Sequence, residues 1–523
     1  MTRAKAIEIG NQFIELIPDF NYLHFAAVTL LLIGLSACVP APRTDGMLVI
    51  AMANGPANLD PGVGLDEASQ KLHTLLFSSL LKIDESLRVV PDLAIRFETP
   101  DPKTYIAEVR HGVHFHDGRE LTADDVAYTY RRFIDPKFTS GRKGAYKMIA
   151  SVDVVDRYTV AFHLREPSGS FPVNLVMGIV PAGTGADAAR HPIGSGPYKI
   201  AEFVADDHVT LTAFPDYFEG APNNAGLIFR VVPDDTMRGL ELRKGTVDII
   251  VNDLAPDIVH ALRSDPRLGV TTTVGTDYAY LGFNMRDPLL QSVKLRQAVG
   301  FAIDRQAIVD YLRRGLALPA IGIIPPMSWA FEPNVFQFTH DIAKAKALLD
   351  EAGYPDPDGD GPLPRLRLSL KTSTAEVYRL QAAVIQRNLA DVGIAVDVRS
   401  YEFATLFADV LKGNVQLYTL QWVGVTDPDM LRRVFHSTQT PPAGFNRGFY
   451  KNAEVDRLID AASIAPDDAT RKQLYGDVQR IIASDAPYVS LWTKTNVAVF
   501  QSALRGVHLS PIAEFTFLKD VAR

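Results

Sequence analysis

The stretch from Arg365 to Val398 constrains the fold more than any other part of the chain. Arg365-Leu366-Arg367-Leu368-Ser369-Leu370-Lys371 alternates strictly between polar and apolar residues, which puts three leucines on one face of a strand. A helical stretch follows from about Ala375 to Val392 and stops at Gly393. Ile394, Val396 and Val398 then alternate with Asp397 and Arg399. Strand, helix and strand at this spacing imply a parallel pair joined by a right-handed crossover. An α/β architecture is therefore expected, at least in the C-terminal half.

Two further segments read as core-facing helices. Thr122-Ala123-Asp124-Asp125 is a capping signature, and Val126, Tyr130 and Phe133 form an apolar stripe behind it. Leu474, Val478, Ile481 and Ile482 form another. The 523 residues contain no repeat of fixed period and no low-complexity linker, so separate domains would have to be assembled from discontinuous segments. A composition of 47% hydrophobic and 22% charged residues excludes a disordered or fibrous chain. The net charge of −8 argues against a nucleic-acid partner, whose phosphates demand a basic face.

The single cysteine rules out an internal disulfide and a thiolate metal cluster, which leaves the purpose of Cys38 open. Phe25 to Leu35 is an apolar run too short to cross a bilayer comfortably and about as long as a signal-peptide core. Leu35-Ser36-Ala37-Cys38 follows it and resembles a bacterial lipobox. Residues 1–37 would then be removed, the Cys38 thiol lipidated, and 38–46 would form a Pro-rich tether. The basic flank of such a signal is displaced: Arg3 and Lys5 are separated from the apolar run by Glu8, Glu15 and Asp19. A buried cysteine ending an N-terminal core helix is the alternative, and the lipobox is preferred to it. Beyond Cys38 no apolar stretch approaches the length needed to span a membrane.

Three segments carry residues that metal or phosphate chemistry would use. In His111-Gly112-Val113-His114-Phe115-His116-Asp117-Gly118, a strand would place His114 and His116 on one face and His111 on the other, so a strand ending in a tight turn accounts for it better than a metal site. Asp356-Pro357-Asp358-Gly359-Asp360-Gly361 resembles part of a calcium loop, but Arg367 stands where the bidentate glutamate belongs. Pro192-Ile193-Gly194-Ser195-Gly196-Pro197-Tyr198 lacks the GK[ST] of a phosphate loop, and Pro197 removes a backbone donor. No GxSxG or HExxH motif is present. These features favour a binding protein over an enzyme, with no catalytic residue, no resident metal and no cofactor.

Several segments, taken in order, resemble the family 5 extracellular solute-binding proteins, receptors of dipeptide, oligopeptide and nickel ABC importers. They are Asn58-Leu59-Asp60-Pro61, Leu75 to Leu80, Pro91-Asp92-Leu93-Ala94, Tyr105 to Asp125, the turn at 192–198, and Gly245-Thr246-Val247-Asp248. Leu281-Gly282-Phe283-Asn284, Leu295-Arg296-Gln297-Ala298, Ala302-Ile303-Asp304-Arg305, the segment 343–354, Trp422 to Asp429 and Asp485-Ala486-Pro487 continue the series. The resemblance implies a two-lobed periplasmic binding protein fold of type II with an extra subdomain. The first lobe would take 47–79, 193–272 and 497–523, the extra subdomain 80–192, and the second lobe 273–496.

It also implies a monomeric extracytoplasmic receptor, anchored to the membrane by lipid, that encloses a peptide or similar small solute and delivers it to an ABC permease. Alternatives are a receptor for a non-peptide solute such as a nickel chelate or an opine and, from another class, a metal-dependent hydrolase built on the histidines. Peptide receptors of this family commonly place an ammonium-binding Asp directly after the glycine of the Trp motif. This chain has Val425 there, and Asp427 either substitutes or begins the Asp427-Pro428-Asp429 turn. The other contacts implied are Asn54, Tyr280, Asn284, Trp422, Gly424, Asn446 and Arg447.

Overall fold

The computed structural model describes residues 46–359, 361–465 and 467–523; the apolar run, Cys38 and residues 39–45 lie outside the described residues. β1 (Met47–Met52) leads into a loop and then the helix Glu67–Leu76, whose first turn is held by Asp66 accepting the Ser69 amide at 2.8 Å. The chain then builds a separate body. β2 (Leu81–Ile83) and β3 (Val89–Pro91) form a small ladder. β4 (Ala94–Asp101), β5 (Thr104–Val109), β6 (Ile149–Asp156) and β7 (Thr159–Leu164) form a four-stranded sheet in the order β4-β5-β7-β6. The helix Ala123–Ile134 covers it. As its sequence predicts, this helix opens with a reciprocal capping box of Thr122 and Asp125 and buries Val126, Tyr130 and Phe133. Phe115, Phe162 and Phe171 complete the core of this body.

β8 (Tyr198–Val204), β9 (His208–Ala213), β10 (Gly226–Val231) and β11 (Ile249–Val251) return to β1. β12 (Leu268–Phe283) then runs for 16 residues, about 50 Å at the usual rise, long enough to belong to two bodies. β13 (Ala317–Pro319), β14 (Leu366–Ser373), β15 (Ile394–Tyr401) and β16 (Leu417–Trp422) follow, and β17 (Tyr488–Gln501) runs back antiparallel to β12. The main sheet has the order β15-β14-β16-β12-β17-β11-β1-β10-β9-β8, with β13 added to β17. The expected parallel crossover is present: β14 pairs with β15 from Leu366 opposite Ile394 to Ser373 opposite Tyr401, joined by the helix Glu376–Ala390. The chain is α/β with two lobes, one built on each half of the sheet.

The two halves have different hydrophobic cores. Val49, Ile50, Leu227, Phe229 and Val499 pack in the first. Leu281, Leu370, Ile385, Tyr280 and Tyr418 pack on the two faces of the second. Where the paired strands cross from one to the other, the register slips. Val274 lies opposite Thr495 but Tyr278 opposite Thr493, so β12 carries extra residues at Gly275-Thr276-Asp277. The Asn496 side chain fills the space a Cβ on Gly275 would need. Asn496 is held in turn, accepting from Asn252 Nδ2 at 3.1 Å and donating to the Pro511 carbonyl at 2.8 Å.

Candidate functional site

The second-lobe end of the crossing strands carries a cluster of buried aromatic side chains. Trp422 ends β16 opposite Tyr278 of β12, and strand alternation puts Trp422, Leu420 and Tyr418 on the same face as Tyr280. Tyr280 stacks on Tyr488 with ring centroids 4.0 Å apart and lies nearly parallel to Trp422 at 6.3 Å. Arg447 closes the cluster. Its guanidinium carbon sits 4.1 Å from the Trp422 ring centroid, 4.9 Å from Phe407 and 5.6 Å from Phe445. Only 6% of Arg447 is exposed, and Nη1 donates a long bond, 3.5 Å, to the Tyr280 hydroxyl. Burial pushes the Tyr280, Tyr418 and Tyr488 hydroxyls well above the ordinary tyrosine range, so all three are neutral donors.

Gly424 stands at the rim with φ +67°, a conformation that favours glycine, and nothing crowds it. Its amide donates to Asp277 Oδ1 at 3.0 Å. Asp277 Oδ2 accepts from Gln421 Nε2 at 3.1 Å and lies 3.6 Å from Lys494 Nζ. The bulge in β12 thus pins the loop after Trp422. Val425 is 2% exposed, and its amide donates to the Thr276 carbonyl. Asp427 Oδ1 accepts from the Asp429 amide at 2.8 Å, an Asx-type turn, and from Ser170 Oγ at 3.1 Å. Burial raises the Asp427 carboxyl. It raises Asp429 to about 6, with the neighbouring Asp427 charge as the next cause.

The remaining candidates divide clearly. Asn284 spends its amide inside the fold, donating to the Gly413 and Val415 carbonyls and accepting from the Arg286 amide. Asn446 does the same with His436 and Tyr450. Asn54 is exposed in the loop after β1, next to Ala53, whose amide donates to Asp253. Tyr280, Trp422 and Arg447 are therefore brought together, Gly424 follows Trp422 on the same loop, Asp427 is spent on Ser170 and the Asp429 turn, and Asn284 and Asn446 brace loops. Sequence reasoning missed Asp277, Ser170, Phe407 and Phe445. The glycine and threonine run before Asp277 was the one available sign of a bulge.

The histidines have separate tasks. His111 stacks on Tyr158 at 3.9 Å, and His114 makes only an isolated bridge to Glu120 in place of the expected strand. His116 Nδ1 accepts the Gly194 amide while Nε2 donates to the Gly196 carbonyl, and burial lowers it to about 4. Asp356 accepts the Asp358 and Gly359 amides in a turn. Among the described residues no three His, Cys, Asp or Glu side chains gather as metal ligands, and no helix is long and apolar enough to cross a membrane.

Comparison with known proteins agrees with this architecture. Residues 88–441 match the model of bacterial extracellular solute-binding proteins, family 5 Middle. The chain is 31% identical over 496 residues to the oligopeptide-binding protein AppA of Bacillus subtilis (strain 168), covering 90% of each chain. It is 29% identical over 487 residues to the glutathione-binding protein GsiB of Salmonella choleraesuis (strain SC-B67), covering 90% of this chain and 93% of that one. The structure of Bacillus subtilis AppA in complex with a nonapeptide superposes with a TM-score of 0.71 at 29% identity, over 91% of this chain and 98% of that one. With a two-lobed α/β fold, a long paired crossing and a match over most of its length, the chain belongs to the family 5 bacterial extracellular solute-binding proteins.

Proposed function

We propose that the protein is an extracytoplasmic receptor that captures a peptide or a similar small solute between its lobes and hands it to an ABC permease, working as a monomer tethered through lipidated Cys38. The observation that carries this reading is the aromatic cluster of Trp422, Tyr280 and Arg447 at the crossing, where one wall of an interlobe site would stand. Aromatic walls give affinity without demanding one side chain, which suits a receptor of broad specificity. Relatives named for oligopeptide and glutathione binding support a peptide-like solute. The lobes are proposed to divide at 272/273 and 496/497, with 80–192 as the extra subdomain.

Buried Val425 favours a second reading, a non-peptide solute such as a nickel chelate or an opine, because no acid follows Gly424 to meet a peptide ammonium. Native mass spectrometry of protein purified from its own cell envelope, followed by release of whatever it carries, tests both. A mixed set of di- to pentapeptides is expected; one non-peptide mass selects the second reading. A protein that is empty and shows no ligand-dependent stabilisation is not a receptor. The same spectrum reports the anchor, because Cys38→Ala would lose the diacylglyceryl mass.

A further inference from the structure

Four of the thirteen buried side-chain polar atoms without a hydrogen-bond partner among the described residues surround Tyr280: Arg447 Nε, Trp422 Nε1 and the hydroxyls of Tyr418 and Tyr488. Buried polar groups are ordinarily paired, and an uncompensated guanidinium is the most costly kind to leave alone. All four can donate a hydrogen bond. Arginine and the indole cannot accept one, and no acid forms an ion pair with Arg447 among the described residues. The two acids of the Trp422 loop system are engaged elsewhere, Asp277 by Gly424, Gln421 and Lys494, and Asp427 by Ser170 and the Asp429 amide. A set of unspent donors beside one fixed positive charge is complementary to an oxyanion.

The cluster adjoins exposed apolar surface. Val423, directly after Trp422, is 74% exposed, and Phe445, 5.8 Å from the Trp422 ring, is 43% exposed. We propose that Arg447 reads the negative charge of the captured solute, a carboxylate or other oxyanion on a body whose apolar part packs against Trp422 and Phe445. The inference rests on the receptor reading and deepens it by naming the charge the site requires. A solute bearing only a positive charge is excluded, and a free ammonium is dispensable. The anion has two sources, the C-terminus of a short peptide or an amine-free organic acid.

The test uses full-length wild type, R447M and R447K purified from the native envelope. Released solutes are identified by mass spectrometry. Each protein is then titrated with N-acetyl-Phe-Phe, which keeps the carboxylate, and Phe-Phe-amide, which keeps the ammonium. Every solute released from wild type is expected to carry an oxyanion, R447M to emerge without it, and R447K to hold it more weakly. N-acetyl-Phe-Phe should bind R447M about thirtyfold more weakly than wild type or worse, and Phe-Phe-amide should bind R447M no more weakly than wild type. The unliganded R447M midpoint should be no lower than that of wild type, because an apolar side chain replaces an unpaired buried charge; a purely structural arginine would lower it. Peptides among the released solutes identify the first source and amine-free acids the second. A neutral or solely cationic solute, retention of the solute by R447M, or stronger binding of the amide than of the acetylated acid overturns the proposal and leaves the receptor reading standing. An empty wild-type protein that responds to neither probe sinks the receptor reading and this proposal with it.

Discussion

Ser170 donates its hydroxyl to the carboxylate of Asp427 at 3.1 Å, across 257 positions of sequence. Ser170 precedes Phe171 in the core of the separate body, whereas Asp427 lies between Val425 and Leu431 in a core of the second lobe. The bond has neighbours. The Gly169 amide donates to the Ser463 carbonyl at 2.9 Å, the Trp329 amide to Ser86 at 3.0 Å, and Arg88 pairs with Asp468 at 2.6 Å. Together they hold the two bodies against each other.

Removing either partner should expose this coupling. A bond to a buried carboxylate is worth about 1.5–3 kcal/mol. Ser170→Ala and Asp427→Ala should each lower the unfolding free energy, and the double variant should fall short of the sum by about 1–2 kcal/mol. A double-mutant cycle by chemical denaturation measures this, and strict additivity would show that the contact does not form in solution.

Asp429 should make stability pH-dependent in a definite direction. Its folded pKa, about 6, lies above the unfolded value of about 3.9, so the folded state binds the proton more tightly. The stabilisation, on the order of 3 kcal/mol, is complete below about pH 4 and disappears as pH rises through about 6. The difference between wild type and Asp429→Asn in thermal midpoint should change across that window and be flat above about pH 7.

His116 should act with the opposite sign. Its folded pKa of about 4 lies below the unfolded value of about 6.5, so its contribution is complete above about pH 6.5 and is lost as pH falls toward 4. Protonation at Nδ1 would turn the acceptor of the Gly194 amide into a donor. His116→Gln should flatten the acid limb of the wild-type curve. His114→Ala, by contrast, should leave ligand-induced stabilisation unaltered; zinc-dependent turnover abolished by the same change would revive the hydrolase alternative.

The glycines of the turn at 192–198 should be intolerant of a single methyl. A Cβ on Gly194 would overlap the Leu76 carbonyl, and one on Gly196 the Leu75 carbonyl, because the turn lies directly against the end of the helix Glu67–Leu76. Gly194→Ala and Gly196→Ala should each cost about 3 kcal/mol or more, or yield insoluble protein. Gly185→Ala, where nothing lies within 4 Å, is the control and should be close to neutral. Urea midpoints decide the comparison.

What could be read from sequence was local. The alternation of Leu366, Leu368 and Leu370 and the spacing to Ile394 specify a parallel pair because strand period and crossover handedness are properties of short segments. The Thr122 cap and its apolar stripe were legible for the same reason. The site was legible only as residue types. Asn284 and Asn446 have the chemistry of ligand contacts, yet both are spent on loop carbonyls, which no neighbouring residue in the sequence announces.

Sequence alone therefore determined the α/β class, the capped helix Ala123–Ile134 and the ordered motifs of the family. Tertiary structure decided which side chains meet. Tyr280, Trp422 and Arg447 come from three distant segments, and their shared burial without a countercharge arises only when β12, β16 and the loop before the helix Ala453–Ile464 pack together. Periodicity and capping depend on residues within a few positions of one another, whereas desolvation depends on everything that surrounds a group in space.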